Sequence, residues 1–196
     1  IVRQWPVKAV VGENGAFVYY FENSQQKTFT HPLVHKDVKE KLERIRQRVL
    51  KEIPGTRIAK DQFARIYDLA IDFNEDPPYL GFEVAEQIKD ICVEMGAEAK
   101  VSSIHVNTWY GKYDKVDMTR LFFKEVLKED PLKTGIFFGD SPNDEPMFEF
   151  FENSCAVANI KPFLAQLNHL PTYVTEEESG LGFAKAVDHI LALYNA

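Results

Sequence analysis

The pattern of apolar and polar residues differs between the first and the second part of this chain. Residues 16–110 combine short strand-like runs with two amphipathic helices, predicted over residues 35–53 and 81–96. In both helices apolar residues recur every three or four positions, which gives each helix one buried face. A single strand is predicted over residues 100–110. The order strand–helix–strand–strand–helix–strand predicts a small α+β unit rich in antiparallel strands.

The pattern of apolar and polar residues changes after residue 110. Apolar runs near residues 136–140, 155–159 and 172–175 alternate with predicted helices over 115–128, from 144, over 161–169 and over 182–194. Apolar strands that alternate with helices are typical of a parallel, doubly wound sheet. The run VKAVVGENG (7–15) predicts one more parallel strand of that sheet. We therefore expect an α/β protein with a Rossmann-like parallel-sheet core, formed by residues 1–15 and 111–196, and an α/β cap inserted at 16–110.

Composition narrows the functional classes. The chain has 196 residues, 45% of them hydrophobic, so it can bury a proper core. Its formal net charge of −7 argues against a nucleic-acid partner. No apolar run is long enough for a membrane span. Cys92 and Cys155 are far apart in apolar contexts, which favours reduced core residues of a cytoplasmic protein over a disulfide or a zinc site.

The stretch GDSPND (139–144) carries the main candidate chemistry. Asp140 follows an apolar strand and Asp144 opens the next helix, so two carboxylates lie at the carboxyl edge of the predicted sheet, where such sheets bind ligands. Magnesium takes one or two protein carboxylates and completes its shell with water and phosphate oxygens. The alternative is that both aspartates only cap the helix.

Several strings together resemble one family. GDSPNDEPMF resembles the fourth motif of the haloacid dehalogenase superfamily, in particular its type IIB class with an α/β cap, which includes Cof-like, sucrose-phosphate and mannosyl-3-phosphoglycerate phosphatases. Lys115, in YGKYDKVDM, stands where that family keeps its third-motif lysine. VVGENGAFVYY resembles the segment that leads into the cap, and YVTEEESGLGFAKAVDHIL resembles the closing strand and helix.

The resemblance implies a Mg²⁺-dependent phosphatase of a small phosphorylated metabolite, with a sugar phosphate as the expected class. It implies that Asp140 and Asp144 hold the magnesium ion, directly or through its waters. Ser141 and Asn143 would border the phosphate, and Lys115 would pair with the nucleophile and the transferring phosphate.

One part of the family pattern is missing. The family nucleophile is the first aspartate of a DxDx(T/V) motif, and the chain contains no Asp-x-Asp string. We expect this aspartate upstream of Ile1. The alternative is an inactive relative that binds a ligand or regulates without turnover.

Weaker signals concern substrate binding. In the run IHVNTW, the side chains of His105, Asn107 and Trp109 share one face of a strand and could contact the leaving group. The alternative is that this face only packs or is exposed to solvent. Asn14, where the chain leaves the core, could line the site, or Asn14-Gly15 could be a turn.

A different enzyme class offers a rival interpretation of the same stretch. GDS can open the nucleophile block of GDSL-type serine esterases, which would make Ser141 the nucleophile. That family needs a late Asp-x-x-His pair, and none of the five histidines has Asp three residues before it.

Overall fold

The computed structural model describes residues 1–194 of the chain. The chain forms two compact units, Ile1–Met118 and Thr119–Ala196, here named unit 1 and unit 2. The predicted division into a core of 1–15 and 111–196 and a cap of 16–110 stays a prediction.

Unit 1 contains two antiparallel sheets and two long helices. Its elements are β1 (Ala9–Gly12), β2 (Phe17–Glu22), β3 (Gln25–Thr30), α1 (Val38–Glu52), β4 (Arg57–Ile58), β5 (Asp68–Asp72), α2 (Phe82–Glu94), β6 (Glu98–Val101) and β7 (His105–Trp109). One sheet has the order β1-β2-β3 and the other β4-β5-β7-β6. A further helix, α3 (Lys115–Phe122), runs across the boundary between the units. The antiparallel α+β character predicted for this region is therefore confirmed.

The main core of unit 1 lies between the second sheet and helices α1 and α2. Ile71 of β5 and Val106 of β7 pack there against Ile45 of α1 and Ile88 of α2, and all four are fully buried. Fully burying such a side chain stabilises the fold by roughly 1.5–3 kcal/mol. Because side chains alternate along a strand, the acids and amides of β5 and β7 occupy the other face of the sheet.

The first strand corrects one prediction. The sequence pattern predicts a parallel strand over residues 7–15, but β1 pairs antiparallel with β2, with Gly12 opposite Phe17. The reason is the tight turn at Glu13, Asn14 and Gly15, where φ is +47°, +57° and +103°. A turn this short returns the chain beside itself, whereas a parallel pairing needs a crossover of about a dozen residues or more.

The single strand predicted over residues 100–110 is also wrong, because β6 and β7 form a hairpin. The turn is fixed by Ser102, whose backbone N–H and hydroxyl both donate to the His105 carbonyl, at 2.8 and 2.9 Å. Serine side chains stabilise turns by such local hydrogen bonds. As a result, β7 lies beside β5 in the middle of the sheet.

Unit 2 is built on short parallel strands. Its elements are α4 (Pro131–Thr134), β8 (Phe137–Gly139), α5 (Glu145–Phe150), β9 (Ser154–Ala156), β10 (Tyr173–Val174) and α6 (Ser179–Tyr194). Both β8 and β10 pair parallel with the central strand β9, in the order β10-β9-β8. The predicted parallel strands are confirmed. The segment expected as a helix over 161–169 is a 3₁₀ helix, Ala158–Gln166, with Pro162 inside it.

Two further features concern the predictions about the cysteines and about membrane spans. Cys92 and Cys155 are buried free thiols, and burial raises the pKa of Cys92 to about 11. Every helix within residues 1–194 is too short or too polar to cross a bilayer.

Candidate active site

The candidate site in unit 2 begins where β8 ends. Gly139 closes the strand, the exposed Asp140 follows it, and a 3₁₀ turn over Pro142–Asp144 leads into α5. Asp144 is only 6% exposed, and its Oδ2 accepts a hydrogen bond from the Asp140 backbone N–H at 3.1 Å. The loop thus folds the second carboxylate back onto the backbone of the first aspartate.

Gly139 is required by this close approach. A Cβ at that position would lie 2.9 Å from the Asp144 Cβ and 2.7 Å from the Phe148 ring. Contacts under 3.0 Å are essentially absent between real Cβ atoms and their neighbours, so a side chain at 139 would push Asp144 out of place. The glycine of the GDSPND stretch therefore positions the carboxylate behind it.

The loop does not serve as a simple helix cap. Neither Ser141, which precedes the 3₁₀ turn, nor Asp144, which precedes α5, makes a side-chain cap hydrogen bond. The Ser141 hydroxyl instead donates to Asn143 Oδ1 at 3.1 Å. An amide oxygen is not a base at neutral pH, so this contact does not activate Ser141 as the esterase interpretation would require.

The chemistry of the loop fits a magnesium ion. Asp140, Ser141, Asn143 and Asp144 offer carboxylate, hydroxyl and amide oxygens within six residues, and hard cations prefer oxygen ligands. Within residues 1–194, no group of three or more His, Cys, Asp or Glu side chains is arranged to hold a metal. Two carboxylates suit Mg²⁺, which keeps several waters, better than Zn²⁺, which takes three or four protein ligands.

Lys115 is the first residue of α3. The helix begins there because the Asp114 Oδ1 accepts the Asp117 backbone N–H at 2.9 Å, the usual contact of an N-terminal cap. Met118, one turn further on, is fully buried. Lys115 is thus presented at a capped helix start, in a half-buried position.

Asn14 lies in the tight turn after β1, so a turn at Asn14-Gly15 is confirmed, and a role of Asn14 in the site stays a prediction. The preceding Glu13 carboxylate accepts backbone N–H groups from all three residues 66–68, including Ile66 at 2.8 Å and Asp68 at 3.0 Å. The Asn14 side chain donates to Asp68 Oδ2 at 3.3 Å. These contacts attach the turn firmly to the start of β5.

Asn107 belongs to the same cluster through Arg65. The Arg65 Nη1 donates to Asp68 Oδ2 at 3.0 Å and to Asn107 Oδ1 at 3.3 Å, and its Nη2 donates to Asp61 at 2.9 Å. Burial raises the pKa of Asp68 to about 6; the Arg65 charge opposes this shift and the Glu13 charge adds to it. Asn14 and Asn107 therefore line one polar cleft of about 380 Å³ in unit 1.

His105 lies at the other end of β7. Its Nε2 is 2.9 Å from Glu75 Oε2, and it does not line the cleft of Asn14 and Asn107. The sequence pattern did not lead us to Arg65 and Asp68, which organise the cleft. One signal could have indicated them: an arginine three residues before the aspartate that opens the strand-like run DLAID.

Comparison with known proteins places these features in a class. A family model described as haloacid dehalogenase-like hydrolase matches residues 127–186, which include the whole GDSPND loop. No curated protein matches the sequence.

Three solved structures illustrate the likeness. SMU.1108c from Streptococcus mutans UA159 has a TM-score of 0.66 at 17% identity, over 94% of this chain and 77% of its own. The sucrose-phosphatase from Synechocystis sp. PCC6803 has a TM-score of 0.63 at 17% identity, over 90% of this chain and 71% of its own. The HAD subclass IIB sugar phosphatase BT4131 has a TM-score of 0.63 at 12% identity, over 94% and 76%.

The fold is therefore that of a haloacid dehalogenase-like hydrolase, an α/β protein with a Rossmann-like core and a cap, as the sequence predicted. The predicted resemblance to the subclass IIB sugar phosphatases is confirmed for the fold. At such low identities the solved structures establish the fold, and the activity is a separate question.

Proposed function

We propose that this chain forms the metal-binding and substrate-binding parts of a Mg²⁺-dependent phosphatase that hydrolyses a small phosphorylated metabolite, with a sugar phosphate as the substrate class. The observation that carries the proposal is the Asp140 and Asp144 pair at the end of β8, placed by Gly139 inside the segment that matches the hydrolase family. The sugar phosphatases among its structural neighbours support the substrate class.

The roles of the loop residues follow from their chemistry. Asp140 and Asp144 would hold Mg²⁺, which neutralises phosphate charge that otherwise repels an anionic nucleophile. Ser141 and Asn143 carry hydrogen-bond donors suited to phosphate oxygens. Lys115 would add a compact positive charge beside the transferring group. Each of these contributions favours the transition state by electrostatic stabilisation.

The covalent step requires a nucleophile. We propose an aspartate upstream of Ile1, because residues 1–196 contain no Asp-x-Asp string. Its carboxylate would attack phosphorus as the alcohol oxygen leaves, and water would then hydrolyse the aspartyl phosphate. Within residues 1–194, β8 is an edge strand of its sheet, so a further strand that carries such an aspartate can pair beside it.

The polar cleft of unit 1 would bind the leaving group. Asn14 and Asn107, together with the carboxylates that surround Arg65, offer donors and acceptors suited to sugar hydroxyls. His105, on the same face of β7, would make a more peripheral contact. The cytoplasmic location predicted from the cysteines fits the same proposal.

A panel of phosphorylated metabolites tests the function. The full polypeptide should release phosphate from at least one sugar phosphate with Mg²⁺, and EDTA should abolish the release. Turnover by residues 1–196 alone would refute an upstream nucleophile. Tight binding of a sugar phosphate without any turnover would favour the inactive, ligand-binding alternative.

A further inference from the structure

A second cavity of unit 1, of about 540 Å³, is separate from the cleft of Asn14 and Asn107. It is lined by residues of α1, by the residues that follow the C-terminal end of α2 and by those that follow the end of β7. Its wall combines charged side chains with one aromatic ring and includes Lys41, Arg44, Glu98, Tyr110 and Lys112.

The cavity lies on the helix side of the sheet. Tyr110 follows Trp109 at the end of β7, so its side chain points to the opposite face from that of Trp109. Tyr110 is buried in the core cluster that contains the apolar residues of α1 and α2. Its hydroxyl donates to the Met95 carbonyl at 3.0 Å, just after α2. Asn107 and Trp109 share the other face, so the sheet separates the two cavities.

The wall of this cavity is strongly cationic in a chain whose net charge is −7. Lys41 and Arg44 are three residues apart on α1 and therefore neighbours on its surface. Lys112 approaches from the segment after β7, and Glu98 is the one carboxylate among the cavity residues of the described chain. Arg44 and Lys112 are exposed, so an anion from solvent can reach both, and it would compensate the like charges that line this one cavity.

Two of these cations are not engaged by the protein. Lys41 pairs with Asp37 at 3.1 Å and lies 5.2 Å from the centre of the Tyr110 ring. Within residues 1–194, the side chains of Arg44 and Lys112 form neither a hydrogen bond nor an ion pair. Their donor groups therefore remain available to a ligand.

We propose that this cavity binds a phosphate-type oxyanion at a site distinct from the candidate active site. The planar guanidinium of Arg44 can donate two parallel hydrogen bonds to such an anion, and Lys41 and Lys112 supply further positive charge. Tyr110 is only 7% exposed and Lys41 lies over its ring, so no aromatic face is open to a base and the ligand is phosphate or a simple phosphomonoester, not a nucleotide.

The cations have a competing structural explanation. Positive charge near the last turn of a helix stabilises the helix dipole, and α2 ends at Glu94 beside this cavity. The two explanations differ in the free protein. If Arg44 and Lys112 serve α2, replacing either with Gln lowers the melting temperature without ligand. If they form an anion site, the same replacements leave the melting temperature unchanged or raise it, because repulsion is relieved.

Titration of the full polypeptide with inorganic phosphate at constant ionic strength tests the proposal. Isotope-labelled glycine allows the amide signals of Gly96 and Gly111, both at the cavity, to report binding there and not at the GDSPND loop. We expect saturable shifts that weaken about tenfold in Arg44→Gln and in Lys112→Gln, since each removes a charge-assisted contact. Arg46→Gln, an exposed replacement on the same helix outside the cavity, should bind as the wild type does.

Glycerol phosphate in a parallel titration distinguishes the ligand source: tighter binding than inorganic phosphate identifies a monoester, and equal or weaker binding identifies free phosphate. The absence of saturable shifts at Gly96 and Gly111 would overturn the proposal. Equal affinity in the wild type and both cavity variants would overturn it too.

Discussion

The two units hold their carboxylates in different ways. In unit 1, Asp68 and Asp72 lie at the two ends of β5, and each accepts an arginine side chain at 3.0 Å, Arg65 and Arg57 respectively. In unit 2, Asp140 and Asp144 lie at the end of β8, in a loop shaped by a glycine and by the Asp140 backbone N–H. Guanidinium partners make the first pair part of the fold. A strand end and a short helix start place the second pair where a cation and a phosphate can meet.

This difference separates carboxylates that an arginine holds in the fold from carboxylates that are proposed to hold a metal ion. Removing an acid of unit 1 should alter stability and its pH dependence. Removing an acid of unit 2 should alter turnover and metal binding, with little effect on stability.

Asp140→Asn gives the largest expected effect. It removes one negative charge from the proposed magnesium site, and turnover of the full polypeptide should fall by about a thousandfold or more, because charge neutralisation dominates phosphoryl-transfer catalysis. Steady-state kinetics measures the change. Asp130→Asn is the control in the same unit: Asp130 caps α4 through the Leu132 N–H, and Asn caps a helix equally well. Near-normal rates for Asp140→Asn would refute the metal site.

Asp68→Asn should change the pH dependence of stability. The folded pKa of Asp68, about 6, lies above its ordinary value of 3.8, so its stabilising contribution is full below pH 3.8 and is lost as the pH rises to about 6. Asparagine does not ionise, so the variant does not lose stability in this pH range. Its free energy of unfolding relative to wild type should therefore improve by up to about 3 kcal/mol between pH 3.5 and pH 7.

Asp72→Asn is the matched comparison on the same strand. Burial opposes ionisation of Asp72, but hydrogen bonds from the Glu75 N–H and from Arg57 hold its pKa below the ordinary value. Its contribution is therefore present above that value and is lost in acid. The variant should therefore have a lower free energy of unfolding than the wild type at pH 7, and this difference should shrink at pH 3. Denaturant unfolding at several pH values measures both, and equal trends would show that the two acids do not differ.

Lys115→Ala should reduce kcat by on the order of a hundredfold, as expected for loss of a charge that acts on the transition state. The melting temperature should change little, because the helix start remains capped by Asp114. Kinetics and thermal unfolding of the same preparations separate the two effects. A steep fall in melting temperature with an unchanged kcat would give Lys115 a structural role.

Gly139→Ala should destabilise unit 2 by about 1–2 kcal/mol, since its Cβ would collide with the Phe148 ring and with Asp144. Gly180→Ala in α6 is the control: a Cβ there meets nothing within 4 Å, and alanine favours a helix. Unfolding in denaturant compares them. Equal stability of the two variants would show that Gly139 does not hold the loop in place.

The sequence predicted unit 2 better than unit 1, for a physical reason. The apolar run before Asp140 forms the half-buried strand β8, which pairs parallel with β9, so local pattern and final pairing agree. Near Gly12 the local sequence pattern and the final strand pairing disagree. The apolar run over 9–12 suits either kind of strand, and only the positive φ of Glu13 and Asn14 decides for a hairpin. Left-handed backbone at a glutamate is uncommon, and composition gives no sign of it.

The candidate site shows the same limit. Asp140, Ser141, Asn143 and Asp144 are close in sequence, so their proximity was predictable. The cleft in unit 1 depends on contacts between Glu13 and residues 66–68 and between Arg65 and Asn107. These residues are 42 or more positions apart, and a pattern along one chain does not show which distant residues meet.

Calorimetric titration of Mg²⁺ into the full polypeptide examines the proposed metal site without relying on turnover. We expect saturable binding by the wild type and by Asp130→Asn, and strongly weakened binding by Asp140→Asn and Asp144→Asn. In Asp144→Asn the new amide oxygen can still accept the Asp140 N–H, so the loop should keep its fold. Equal Mg²⁺ affinity in all four proteins would show that the two carboxylates of the GDSPND loop do not hold the ion.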